Sequence, residues 1–329
     1  MLFVAKFQPV ARVARSCAAA LGCVLFFLFG VVQSQDWPIK PVRLIYPYGS
    51  GGGGDIIARL VADRLSRKLG QQFVIENRPG AGGVIGSDIA AKSRPDGYTL
   101  VISGMGSHVV APVLSVAPFD PLKDFTHIAL LGGPPLVLAI HPEFPPKSLA
   151  QFLDLTRSRS EGVVFGSPGP GTHGHLVGEM LRASSGGRML HAPYKGGGQA
   201  VGDLVAGHIP SAIVTLGPSA QFVRAGKLRL LAVTSAKRLA DFPAVPTFIE
   251  LGYKDLVATT WFGVSGPAGL PISIANKLNN EIRLVLSLAE IRERLLPDGI
   301  EPGDLDVETF NAFFRSEIDR WTPLARGIR

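Results

Sequence analysis

The chain has 329 residues, of which 46% are apolar, and its 33 Lys and Arg against 26 Asp and Glu give a formal charge of +7 at pH 7. That length and apolar share exclude a disordered chain and a small disulfide-framed scaffold. The basic residues are dispersed and not interleaved with aromatics, which excludes nucleic acid as an expected partner.

Lys6, Arg12 and Arg15 precede an apolar run from Cys17 to Val32, which gives way to Gln33, Ser34 and Gln35. A basic start, an apolar centre and a small-residue end make an export signal over residues 1–34, so the mature protein is expected in the periplasm. The run's 16 residues fall short of the roughly 20 that a spanning helix needs; an uncleaved anchor is the alternative. A lipid-modified Cys23 would leave Val24 to Val32 as an apolar tail and is disfavoured. Cys17 and Cys23, the only two cysteines, leave with the signal, so no disulfide, thiolate nucleophile or cysteine-ligated metal is expected in the remaining domains.

Beyond the signal, strand-like apolar runs alternate with amphipathic helical runs. This is the α/β pattern, mostly parallel sheets flanked by helices. Val42 to Tyr46 reads as the first strand, followed by a glycine loop and a helix starting at Asp55, the expected N-cap, with Ile57, Leu60, Val61 and Leu65 on one face. Residues 73–75, 98–103 and 128–131 read as further strands of the same sheet. After the apolar run 136–140, Pro142, Pro145 and Pro146 punctuate the chain before a helix capped by Ser148, and a domain boundary is placed here. A second series follows, with strands at 163–165, 189–191, 212–215 and 228–233 and helices beginning near His173, Gln199 and Pro218. An extended stretch, 259–264, leads back toward the first domain and into a helix striped by Ile274, Leu278, Ile282 and Val285. Ser287 and Glu290 form a capping box, and Phe310, Phe314, Ile318 and Trp321 recur at helical spacing, with Trp321 read as core. Domain 1 is therefore 36–135 with 256–329, and domain 2 is 136–255.

Three glycine loops between strand and helix carry the chemistry. In Pro47-Tyr-Gly-Ser-Gly-Gly-Gly-Gly-Asp55, bare N–H groups meet the positive end of a helix dipole, which suits an anion. The loop lacks the Lys-Ser/Thr ending of a nucleotide phosphate loop, and the bland alternative is a tight turn. Gly166 to His175 repeats the arrangement in the second domain, where Thr172, His173 and His175 supply side-chain donors. The i, i+2 spacing of those histidines disfavours a shared metal. In His191 to Gly198, Tyr194 and Lys195 are placed to close a pocket, although Lys195 reads equally as an exposed turn residue. Gly49-Ser50-Gly51 satisfies only part of a nucleophile elbow and no acidic partner is evident, so a secreted hydrolase is the weaker alternative and no enzyme activity is expected.

Several segments in order resemble the Bug family, the tricarboxylate-transporter-type extracytoplasmic solute receptors: Glu76 to Gly83, Pro95 to Leu100, Pro121 to Phe125, His191 to Gly197, Ala225 to Arg229, Ala232 to Arg238 and Trp261 to Pro267. The resemblance spans essentially the whole mature chain. It implies a periplasmic-binding-protein fold with a two-strand hinge, a small organic carboxylate held mainly by backbone amides and waters, and no cofactor. By position it implies ligand contacts from Tyr48, Gly49, Ser50 and Gly54, from Gly104 and Ser107, and from Gly169, Gly171, Thr172 and His175. It also implies a monomer whose partner is a membrane transporter or a sensor kinase. Val214 and Thr215 stand where family members often carry an acid, and Tyr48-Gly-Ser-Gly51 stands where they tend to show proline and fewer glycines. Ligands bearing an amino group thereby lose one partner.

Overall fold

The computed structural model describes residues 37–327 and, before them, Leu2 alone; the predicted signal and its cleavage site otherwise lie outside the described residues. A short unit ends at Ile39, and Lys40–Arg329 forms one compact unit, to which everything below refers.

In chain order the elements begin with β1 (Val42–Tyr46), α1 (Gly53–Leu69), β2 (Phe73–Asn77), α2 (Val84–Ala91), β3 (Thr99–Gly104), α3 (Ala111–Leu114), β4 (Phe125–Gly133) and β5 (Leu136–Ile140). They continue with α4 (Leu149–Ser158), β6 (Val163–Ser167), α5 (His173–Ser185), β7 (Met189–Pro193), α6 (Gly197–Val205), β8 (Ser211–Thr215), α7 (Leu216–Arg224) and β9 (Arg229–Val233). The last are β10 (Phe262–Pro267), α8 (Ile272–Ser287), α9 (Ala289–Leu295), β11 (Glu301–Pro302) and α10 (Val307–Arg326). They build two sheets, β11-β4-β10-β3-β1-β2 and β7-β6-β8-β5-β9.

Parallel pairing of β1 with β2 and β3, and of β6 with β7 and β8, matches the expected α/β class. Strands covered on both faces read as near-continuous apolar runs, as β5 does with all five residues buried. Apart from the short β11, antiparallel to β4, the antiparallel members are the strands by which the chain enters a sheet after crossing from the other: β5 lies between β8 and β9, and β10 between β3 and β4. The crossings run side by side. Pro135 bridges Thr259 in antiparallel fashion, and the Thr260 N–H donates to the Pro134 carbonyl at 3.0 Å. Gly133 makes this approach possible, since a Cβ there would collide with the backbone of Thr260 and Trp261.

Two expected caps are corrected. Helix α1 starts at Gly53 with Gly52 as N-cap, and Asp55, inside the first turn, reaches back to accept the Gly51 N–H at 3.0 Å. Its carboxylate is also held by Arg59 at 3.0 Å, so it stabilises the turn from within. Ser287 caps nothing, because α8 continues through it and its hydroxyl donates to the Leu284 carbonyl, leaving Leu288 as the N-cap of α9. Sequence reading also passes over α2, whose entry through Gly80, Gly82 and Gly83 at positive φ looks like loop.

The face of α10 packs Phe310, Phe314 and Trp321 into the core, each no more than 1% exposed. Glu317 on the same helix accepts both indole N–H groups, Trp261 at 2.8 Å and Trp321 at 3.2 Å, tying the helix to the second crossing. Beneath it lie buried imidazoles. His127 donates to the Pro121 carbonyl and pairs with Ser265, each at 2.9 Å, and burial lowers its pKa from 6.5 to about 4. His108, wholly buried among Phe119, Phe125 and Phe314, is lowered too, chiefly by burial and then by His127.

With folded pKa values below the unfolded one, these groups stay neutral in the fold while the unfolded chain takes up protons. Stability present above pH 6.5 is therefore lost as pH falls toward 4, by about 1.4 kcal/mol per pH unit for each such histidine. Melting curves from pH 7 to 4.5 should show a falling midpoint, with a shallower fall in His127→Gln. A midpoint independent of pH across that range would rule the account out.

Candidate ligand-binding site

Ligands of α/β proteins sit beyond the carboxyl ends of parallel strands, and five strand ends converge here, those of β1, β3, β6, β7 and β8. Between the two sheets lies a cavity. From the first sheet's side it is lined by Tyr46, Tyr48, Gly52, Gly53, Gly106 and Phe262. Facing them are Pro168, Thr172, His173, Gly174, Gly197 and Thr215, with Leu136 and Thr260 at the crossings. Among the described residues, no Lys, Arg, Asp or Glu lines it.

The positive element is supplied by helix ends. Helix α5 opens on Thr172, whose hydroxyl accepts the His175 N–H at 3.4 Å and donates to the Gly169 carbonyl at 2.7 Å. The N–H groups of His173 and Gly174 in that turn, and of Gly197 at the start of α6, have no acceptor within their own helices. At the edge of a cavity, such groups favour an anion. His173 is 2% exposed; its Nδ1 pairs with Thr260 at 2.9 Å, its Nε2 has no partner among the described residues, and its ring meets Trp321 edge-on at 5.0 Å. Burial, with Arg320 second, lowers its pKa to about 3, so this wall is a neutral imidazole.

The first glycine loop is used differently. Its Gly49 N–H donates to the Lys195 carbonyl at 2.7 Å, Gly51 to Asp55, and Gly53 to the Thr215 hydroxyl at 3.3 Å. A Cβ on Gly54 would lie 2.5 Å from the Phe262 ring, which therefore covers this end of α1.

Of the ten expected contact residues, Tyr48 and Thr172 line the cavity. Gly49, Ser50 and Gly171 sit where loops from the two sides meet: Gly196 and Gly198 approach the first two, and Ala111 the third. Gly54 and Gly104 pack against Phe262, and Gly169 against the Tyr194 carbonyl. Ser107 is fully buried and pairs with His108 at 2.9 Å, while also bonding the Tyr48 hydroxyl. His175 stacks on His191 at 4.2 Å, away from the lining. Neither Tyr194 nor Lys195 lines the cavity; Tyr194 donates to Asp203 at 2.8 Å and Lys195 is exposed. Sequence reading misses Tyr46, Phe262 and Thr260. Tyr46, the last residue of β1, carried a usable signal in its place at a strand's carboxyl end, but the other two arrive by the second crossing.

A fold of two crossed-over sheets around an uncharged, amide-edged cavity is that of a solute-binding protein of the periplasmic-binding class. Residues 57–329 match the model of the tripartite tricarboxylate transporter family receptors. Protein BugT of Bordetella pertussis (strain Tohama I) is 37% identical over 298 residues, covering 90% of this chain and 91% of the relative. A Rhodopseudomonas palustris protein solved with adipate aligns at TM-score 0.85 and 34% identity, over 89% of this chain and 98% of that one. MatC from the same organism, solved with bound malate, aligns at 0.84 and 29% identity, over 88% and 100%. The chain belongs to the tripartite tricarboxylate transporter receptor family, the Bug-type receptors, and is a binding protein, not an enzyme. Among the described residues no helix is long and apolar enough to cross a membrane, and no group of three His, Cys, Asp or Glu could hold a metal.

Proposed function

We propose that the exported protein captures a small organic carboxylate in this cavity and hands it to the membrane subunits of a tripartite transporter. The observation that carries the reading is the pairing of free N–H groups at the starts of α5 and α6 with a lining that has no charged side chain. Relatives solved with adipate and malate support the ligand class. Residues 36–135 with 256–329, and 136–255, act as the two closing domains; each sheet draws its strands from one of these sets. Contacts such as Gly49 to Lys195 and Gly53 to Thr215 form only when they meet, so ligand that bridges them shifts the population toward the closed form. Tyr48 and Thr172 are the ligand contacts retained from the expected set.

With no acid on the lining, an α-amino group has no counter-charge. Protein recovered from a periplasmic fraction, its chain starting near Gln35 or Asp36, is expected to bind hydroxy- and oxo-acids more tightly than aspartate or glutamate in calorimetric titrations. Binding of aspartate or glutamate without binding of their deaminated analogues contradicts the reading.

A further inference from the structure

The cavity is chemically two-sided. Toward the second sheet lie donors: the N–H groups of His173, Gly174 and Gly197, and the hydroxyl of Thr215, which accepts from Gly53 and keeps its own proton to give. Toward the first sheet lie rings. Tyr46 and Tyr48 meet edge-on with centroids 5.6 Å apart, and Tyr46 and Phe262 lie 6.4 Å apart.

Most of the first glycine loop's donors on that side are engaged. The N–H groups of Gly49, Gly51 and Gly53 have acceptors, and Phe262 blocks the approach to Gly54. The Tyr48 hydroxyl is bonded to Ser107, with Gly83 and Gly106 so close that a Cβ on either would press on it. A carboxylate buried against those rings would lose its water and gain few donors in return. A flat apolar body placed there gains edge and offset contacts with the rings.

The geometry points to an aromatic monocarboxylate as the ligand, its acid group toward the starts of α5 and α6 and its ring against Tyr48 and Phe262, which set this preference. The inference rests on the carboxylate reading above and narrows it. It also separates this chain from the relatives solved with adipate and malate, whose ligands carry two acid groups. Tyr48 is the loop residue that builds this wall, edge-on to Tyr46.

Calorimetry on the mature protein with benzoate, adipate and malate tests it. Benzoate should bind at least tenfold more tightly than either diacid. Tyr48→Leu should bring that ratio below threefold in protein that still unfolds cooperatively, and Tyr48→Phe, which retains the ring, should keep it. If adipate or malate binds as tightly as benzoate, the inference falls while the carboxylate receptor stands. If none of the three, nor any other carboxylate, binds, both fall together. An unchanged ratio in Tyr48→Leu overturns the role given to that ring, whatever the wild-type preference.

Discussion

Replacing Gly197 by Val is expected to weaken ligand binding at least tenfold, about 1.4 kcal/mol, while the melting midpoint stays within a few degrees of the wild type. Gly197 is the first residue of α6 and lines the cavity. A Cβ there has ordinary contact distances, 3.8 Å to Pro168 and 3.9 Å to Gly52, and the backbone is not at positive φ. The fold therefore accepts the new side chain in the absence of ligand. Its methyl groups occupy space at the mouth, where the second sheet's donors meet the first glycine loop. Other glycines make poorer probes. Valine at Gly54 collides with Phe262, and at Gly171 it meets both a φ of +73° and the Ala111 backbone, so lost binding there would report a damaged fold. Titrating Gly197→Val beside the wild type decides the matter; unaltered affinity would mean that the ligand does not approach the start of α6.

The largest stability change is expected for Phe314→Ala, at about 3–5 kcal/mol in denaturant unfolding. Phe314 is 0% exposed. Its ring stacks on His127 at a centroid distance of 3.6 Å and meets the edges of Trp261 and Phe310 at 5.2 and 6.2 Å. Truncation removes these contacts and leaves a cavity whose walls are strands and a helix, which cannot collapse to fill it. The site should feel the change as well, because Trp261 borders the crossing through which Phe262 and Thr260 reach the ligand cavity. By contrast, exposed ion pairs such as Arg67 with Asp63 are worth at most about 1 kcal/mol. A Phe314→Ala cost no greater than that would show that α10 is an appendage and not part of the core.

The sequence makes the α/β pattern, the family and the loops that edge the site legible, because apolar periodicity and glycine runs are local properties. What it conceals is the state of each donor. Gly49, Gly51 and Gly53 look equally bare in the sequence, yet the partner of Gly53 is 162 residues away. The histidines of the second loop show the same limit. Successive residues on a helix turn by about 100°, so His173 and His175 face roughly opposite ways. One reaches the cavity and the other stacks on His191. Phe262, which covers one loop and lines the cavity, becomes visible as a site residue only when β10 is known to lie between β3 and β4.

The paired crossings at Pro134–Pro135 and Thr259–Thr260 have a mechanical corollary for the proposed closure. A single tether would let the two halves swivel and slide. Two tethers bonded edge to edge suppress both and leave rotation about a line running across them as the soft coordinate. Solute then has one way in, from the side opposite the tethers. Gly53, where a Cβ would come within 3.0 Å of Pro134, lies beside the tethers and moves little in such a rotation.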